Sequence, residues 1–298
     1  MSDRPAARVL LGHGTENDFV VLPDPDGSAW PESRLDAALV TRLCDRRAGL
    51  GGDGVLRVVP SVCVPDAPAV LGEDLDACTW FMDHRNADGS HAEMCGNGIR
   101  LFLHVLVTEG LLDREACRAG VLVGTRGGAR RVGATADGSY WVDMGPARPF
   151  GSGTAQVGDR VLAGSAVSMG NPHLVCLTDV PVDALDLSAA PGVDPDLFPE
   201  GVNVEVVNVL TTDGMAGADA HVRMRVHERG VGETRSCGTG ACAVASAALT
   251  AAGRTTGTVV VDVPGGRLSI DVDDRTTVLS GPAVVIAAGA LTPEWLAG

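Results

Sequence analysis

No lysine occurs anywhere in the 298 residues; all 23 basic side chains are arginine. That absence excludes two chemistries. A pyridoxal-phosphate enzyme needs a lysine for its Schiff base, and a Walker A loop needs one on the nucleotide phosphates. Aromatic residues are scarce as well, with 5 Phe, 4 Trp and 1 Tyr, so a core must be filled by Val, Leu, Ala and Ile. No run of 18 apolar residues appears, which leaves no segment for a membrane-spanning helix. The first nine residues are polar without a signal-peptide pattern, and a cytoplasmic protein is expected. No Cys-x-x-Cys pair is present among the eight scattered cysteines, an arrangement suited to a reduced compartment. Zinc needs three or four ligands at compact spacing; with only isolated Cys and His, no metal is expected. Net charge is −15, which argues against nucleic acid or an anionic membrane as partner.

What is present is organised around two elbows. Residues 228–242 read Glu-Arg-Gly-Val-Gly-Glu-Thr-Arg-Ser-Cys-Gly-Thr-Gly-Ala-Cys and run straight into an Ala-rich stretch ending at Ala252. Gly permits a tight turn, and Ala is the best helix former. Cys237 is therefore predicted at a helix N-terminus, where free N–H groups and the dipole favour a thiolate or a bound carboxylate. The device occurs once before, at Met-Cys-Gly-Asn-Gly from Met94 to Gly98, with a helix predicted from Cys95 to about Glu109. The remaining cysteines, Cys44, Cys63, Cys78, Cys117, Cys176 and Cys242, are expected to be small core residues.

The surrounding elements also recur. Residues 8–22 read as strand, Gly-rich loop and strand, and residues 168–177 stand where 12–22 stood. A helix is predicted at 32–45 on the spacing of Leu35, Leu39, Val40 and Leu43. The glycine loop and strand of 49–59 are matched by 198–207. A strand at 78–82 and a turn at 86–90 precede the first elbow; a strand at 223–228 precedes the second. Asn86 lies nine residues before Cys95, as Glu228 does before Cys237. A Gly-Gly hairpin follows each helix, at 121–134 and 259–272. Four elements in one order indicate two homologous halves, the second starting near Gly145. Strands outnumber helices and the connections are hairpin-like, so the fold class is α/β of the α+β type. Each half is expected to be a mainly antiparallel sheet curled around one helix.

Two such cysteines facing one another across a cleft between the halves make a two-base device. One thiolate removes a proton from a carbon next to a carboxylate, and the other thiol returns one to the opposite face. The helix N-termini hold the charge that develops on the carboxylate. Cysteine suits the task because its pKa, ordinarily about 8.5, can be pulled toward the operating pH there.

The words Gly-Thr-Glu-Asn-Asp-Phe, Asn-Ala-Asp-Gly-Ser, Met-Cys-Gly-Asn-Gly, Met-Gly-Asn-Pro-His, Gly-Val-Asn and Glu-Arg-Gly-Val-Gly-Glu-Thr-Arg-Ser-Cys-Gly-Thr-Gly resemble, in order, the diaminopimelate epimerase family. That resemblance implies a cofactor-independent isomerase converting LL-2,6-diaminopimelate to the meso form, on the route to lysine and peptidoglycan. It implies an active site between the halves, with a C-terminal strand rejoining the first: residues 1–143 plus 282–298 carrying Cys95, and residues 144–281 carrying Cys237. Cys95 and Cys237 match the acid/base pair. Gly96, Asn97, Gly238 and Thr239 match the positions that grip the reacting carboxylate. Asn17, Asn86, Asn171, Asn203, Glu228 and Arg229 match those binding the substrate, its distal amino-acid end included. An arginine takes a carboxylate in bidentate fashion, and Asn and Glu oxygens accept from an ammonium. His173 matches a position that helps set thiol protonation; the other six histidines are read as structural or solvated. Partners beyond the small amino-acid substrate are limited to a homodimer, by analogy with the family. Two departures stand out: Gly54 where some relatives carry Gln, and Leu11 where Lys is common.

Two alternatives retain part of the pattern. A racemase of related fold acting on proline, hydroxyproline or a specialised-pathway amino acid would keep the cysteine pair and lose the residues for a second amino-acid head. A non-catalytic binder or thiol-redox sensor would use the same cleft, but a binder needs no cysteine at both elbows, and a sensor needs a readily formed disulfide.

Overall fold

The computed structural model describes residues 7–213, 215 and 217–297, so most of the polar opening stretch lies outside the described residues. The chain divides into two compact units, Met1–Tyr140 with Ala283–Gly298, and Trp141–Pro282.

In the first unit β1 (Ala7–Gly14) and β2 (Asn17–Pro23) form a hairpin. Its two-residue loop holds both Thr15 and Glu16 at positive φ, 48° and 61°, the type I′ geometry that matches strand twist. A β-branched residue in that region is strained, and Thr15 is nevertheless buried. Then follow α1 (Ala37–Cys44), β3 (Gly54–Pro60), α2 (Ala67–Leu71), β4 (Trp80–Asn86), α3 (Gly96–Thr108), β5 (Val121–Gly124) and β6 (Arg130–Ala134). The ladders run β2 parallel to β3, β3 antiparallel to β4, β4 parallel to β5 and β5 antiparallel to β6. Helix α3 touches β1, β2, β3, β4 and β6. Ile99, Leu101, Phe102, Leu103, Val105 and Leu106 are all buried, which is the state of a helix that is apolar all round.

β7 (Tyr140–Gly145) leads into the second unit, with β8 (Arg148–Val157), β9 (Arg160–Ser168), β10 (Pro172–Leu177), β11 (Gly192–Val193), β12 (Asn203–Leu210), β13 (Ala220–Glu228), β14 (Gly232–Thr234), α4 (Gly238–Ala251), β15 (Gly257–Val263), β16 (Gly266–Val272) and β17 (Thr277–Gly281). Its ladders follow the same order: β9 antiparallel to β10, β10 parallel to β12, β12 antiparallel to β13, β13 parallel to β15 and β15 antiparallel to β16. Helix α4 is rich in Ala and touches β9, β10, β12, β13, β15, β16 and β17. Small side chains let those strands approach closely. The chain then returns to the first unit as β18 (Val284–Leu291), antiparallel to β1 from Ala7↔Leu291 to His13↔Val284, and ends in α5 (Pro293–Ala297).

The sheets are thus mixed, with parallel ladders alongside the antiparallel ones. Three local expectations need correction. The helix predicted at 32–45 begins only at Ala37, because Asp36 stays extended and its carboxylate accepts from Leu39 N at 2.8 Å. The strand placed at 78–82 occupies Trp80–Asn86 instead, Cys78 closing the preceding 3-10 turn. Cys63 is half-buried, while Cys44, Cys78, Cys117, Cys176 and Cys242 are core. Among the described residues no helix is long and apolar enough to cross a membrane.

Candidate active site

Each elbow folds as its sequence dictates. Cys95 takes an extended conformation (φ −140°, ψ 120°) and N-caps α3, its Sγ accepting from Gly98 N at 3.4 Å. Cys237 does the same for α4 (φ −122°, ψ 115°), its Sγ accepting from Gly240 N at 3.4 Å. A sulfur here replaces the Ser or Asp oxygen usual at this position. In each case the acceptor sits beside N–H groups that lack helical partners.

In the first unit the structure gathers Asn17, Cys95 and Asn97. The Cys95 thiol donates to Asn17 Oδ1 at 3.5 Å, and Asn97 Nδ2 donates to the same oxygen at 3.4 Å. Asn17 Nδ2 donates to Asp53 Oδ2 at 2.7 Å. Burial, and Asp18 nearby, push the Asp53 carboxyl up. Asn97 is fixed from behind by Arg100, which is 1% exposed. That guanidinium donates to Asn97 Oδ1 at 3.0 Å, to Gly96 O at 2.9 Å and to Thr15 Oγ1 at 3.2 Å. The strained loop of the β1–β2 hairpin is thereby tied to the helix start. Asn86 closes β4, donating to Ser90 Oγ at 3.0 Å in a turn where Gly89 has φ 86°.

In the second unit Thr239 Oγ1 lies 3.4 Å from Cys237 Sγ. Burial pushes the Cys237 thiol well up, and Glu228 and Glu205 push it further; the Thr239 hydroxyl and Gly240 N–H oppose them without prevailing. This corrects the expectation of a thiol drawn down toward neutral pH. Asn203 Oδ1 accepts from Arg229 N at 2.9 Å, and its Nδ2 donates to Pro172 O at 3.3 Å. Glu228 accepts from the Thr234 hydroxyl. The Arg229 guanidinium rests against Glu200 O at 3.2 Å. His173 is fully buried, its Nε2 3.1 Å from Asn171 Oδ1 and its Nδ1 2.6 Å from Glu205 Oε1.

Sequence reasoning missed Asp53, Arg100 and Glu205. For Glu205 a signal existed: it is the only charged residue in the apolar strand run Val-Asn-Val-Glu-Val-Val. Among the described residues no group of three or more His, Cys, Asp or Glu is placed to hold a metal ion.

The family model described as diaminopimelate epimerase matches residues 9–149 and 165–286. The chain belongs to the diaminopimelate epimerase family. It is 48% identical over 298 residues to the diaminopimelate epimerase of Rhodococcus jostii (strain RHA1), covering 96% of this chain and 98% of that one. To the diaminopimelate epimerase of Thermobifida fusca (strain YX) it is 49% identical over 282 residues, covering 95% and 97%. Among solved structures, a hydroxyproline epimerase from Agrobacterium vitis with bound trans-4-OH-L-proline superposes with TM-score 0.63 at 16% identity, covering 99% of this chain and 96% of that one. At that identity the likeness is one of fold.

Proposed function

We propose that the chain is a diaminopimelate epimerase, an isomerase of lysine biosynthesis, and that Cys95 and Cys237 are its two bases. The observation that carries the assignment is the matched placement of the thiols, each an N-cap whose sulfur accepts from the N–H three residues on at 3.4 Å. One thiolate takes the α-proton of LL-2,6-diaminopimelate and becomes a thiol. The other thiol delivers its proton to the opposite face and becomes a thiolate, giving the meso isomer with the proton count unchanged. Burial opposes ionisation of the Cys237 thiol.

Each half brings one base, 1–143 plus 282–298 carrying Cys95 and 144–281 carrying Cys237. Gly96, Asn97, Gly238 and Thr239 hold the reacting carboxylate, where helix N–H groups meet the charge that grows in the transition state. Asn17, Asn86, Asn171, Asn203, Glu228 and Arg229 bind the remaining polar groups, and His173 assists the thiols. The scheme needs no organic cofactor and no metal. It is placed in the cytoplasm, with no nucleic-acid or membrane partner, and the homodimer stays an analogy with the family.

The test is wash-in of solvent deuterium at the α-carbon, followed with no cofactor added. Cys95→Ala and Cys237→Ala are each expected to slow epimerisation about 10²–10⁴-fold. Wash-in at the parent rate in both variants would refute the two-thiol scheme. Turnover of proline or hydroxyproline in place of diaminopimelate would refute the substrate.

A further inference from the structure

We propose that Glu205 is a positioning residue of the reaction, acting through His173: together with Asn171 it fixes which ring nitrogen carries the proton, and it stores one proton beside Cys237. The role in turnover rests on the function proposed above. The geometry of the pair stands apart from it.

His173 and Glu205 are both 0% exposed, on the parallel neighbours β10 and β12. Each ring nitrogen faces an oxygen, Nε2 facing Asn171 Oδ1 at 3.1 Å and Nδ1 facing Glu205 Oε1 at 2.6 Å. An amide oxygen only accepts, so Nε2 carries a hydrogen. Nδ1 then either carries a second one or accepts from a protonated Glu205. In both cases the pair holds one proton more than a neutral imidazole and a carboxylate would.

The surroundings favour the neutral version. Glu205 Oε2 is buried and has no hydrogen-bond partner among the described residues, a costly state for a full negative charge. Burial pushes the Glu205 carboxyl up, and Glu228 on β13 pushes it in the same direction; His173 opposes them. The other titratable groups facing it are thiols, Cys176 on β10 and Cys237 at the start of α4.

The pair is also close to the thiol. At Gly240 a side-chain carbon would lie 2.7 Å from Glu205 Oε1 and 3.3 Å from Cys237 Sγ. Only glycine lets the carboxyl and the sulfur share that space. When Cys237 gives up its proton, a negative charge appears next to a site that already holds a transferable one. A shift of that proton toward Nδ1 makes an imidazolium and a carboxylate without any proton entering from solvent.

The experiment has two arms. In the first, ring ¹⁵N shifts of His173 are recorded by NMR on the substrate-free protein. The parent is expected to show a protonated Nε2, and Glu205→Met to lose that fixed state. Glu205→Gln, whose amide N–H can donate to Nδ1, is expected to keep it. In the second arm, Glu205→Met is expected to lower kcat about 10–100-fold with KM nearly unchanged. Glu205→Gln is expected to recover most of that rate at neutral pH while altering the pH profile, since it positions the ring but stores no proton. A parent His173 protonated only at Nδ1, or a Glu205→Met variant with the parent's kcat and pH profile, would overturn the proposal. If the NMR arm holds and the cysteine variants still epimerise at the parent rate, the two-thiol scheme fails while the pair stands.

Discussion

Thiols surrounded by apolar side chains give up their protons late, and this has a measurable cost at alkaline pH. Burial pushes the Cys176 thiol up to about 12 from the ordinary thiol value. Between those values the unfolded chain has released the proton and the folded chain has not. The folded state binds more protons there, so stability falls as pH rises, by about 1.4 kcal/mol per pH unit for such a thiol. Urea unfolding between pH 8 and pH 11 is expected to show this decline, with a shallower slope in Cys176→Ala despite that variant's lower stability. Equal slopes would mean that Cys176 already titrates normally. At this scale the helix-capping placement of the two thiols was legible, because Gly and Ala after Cys237 specify a helix start whatever the tertiary fold. The direction of the Cys237 shift was not. It depends on burial and on Glu228 and Glu205, which only the folded chain brings near the sulfur.

Among the elements, the start of α1 shows what local pattern settles and what it leaves open. The periodicity of Leu35, Leu39, Val40 and Leu43 marks a buried face, and all four are buried. Yet the helix waits for Asp36, whose carboxylate satisfies the Leu39 N–H. Removing it in Asp36→Ala is expected to cost about 1 kcal/mol in urea unfolding, with Asp36→Ser close to the parent. An unchanged midpoint in Asp36→Ala would show that packing of Leu39 and Leu43 alone sets the boundary. The parallel ladders, β2 with β3 and β10 with β12, were not legible in residue patterns. Strands covered on both faces read as continuous apolar runs whichever way their neighbours run.

For the whole molecule, the internal repeat was visible in the order of short motifs, while the return of the last strand was not inferable from periodicity alone. β18 supplies β1 with seven register pairs. Deleting residues 283–298 is expected to strip the facing β1 amides of hydrogen-exchange protection and to destabilise the first unit. Deleting only residues 292–298 leaves that ladder in place and is expected to preserve the protection. A chain cut at 283 that unfolds at the parent's urea midpoint would show β18 to be dispensable.

The same strand order has a consequence during synthesis. About 270 residues separate Gly14 from Val284, roughly 15–55 s of elongation at the usual speed of a ribosome. Throughout that interval β1 is a bare edge, the kind of surface that recruits stray strands. A nascent chain of this protein must therefore be shielded, or stay unfolded, until β18 has been made.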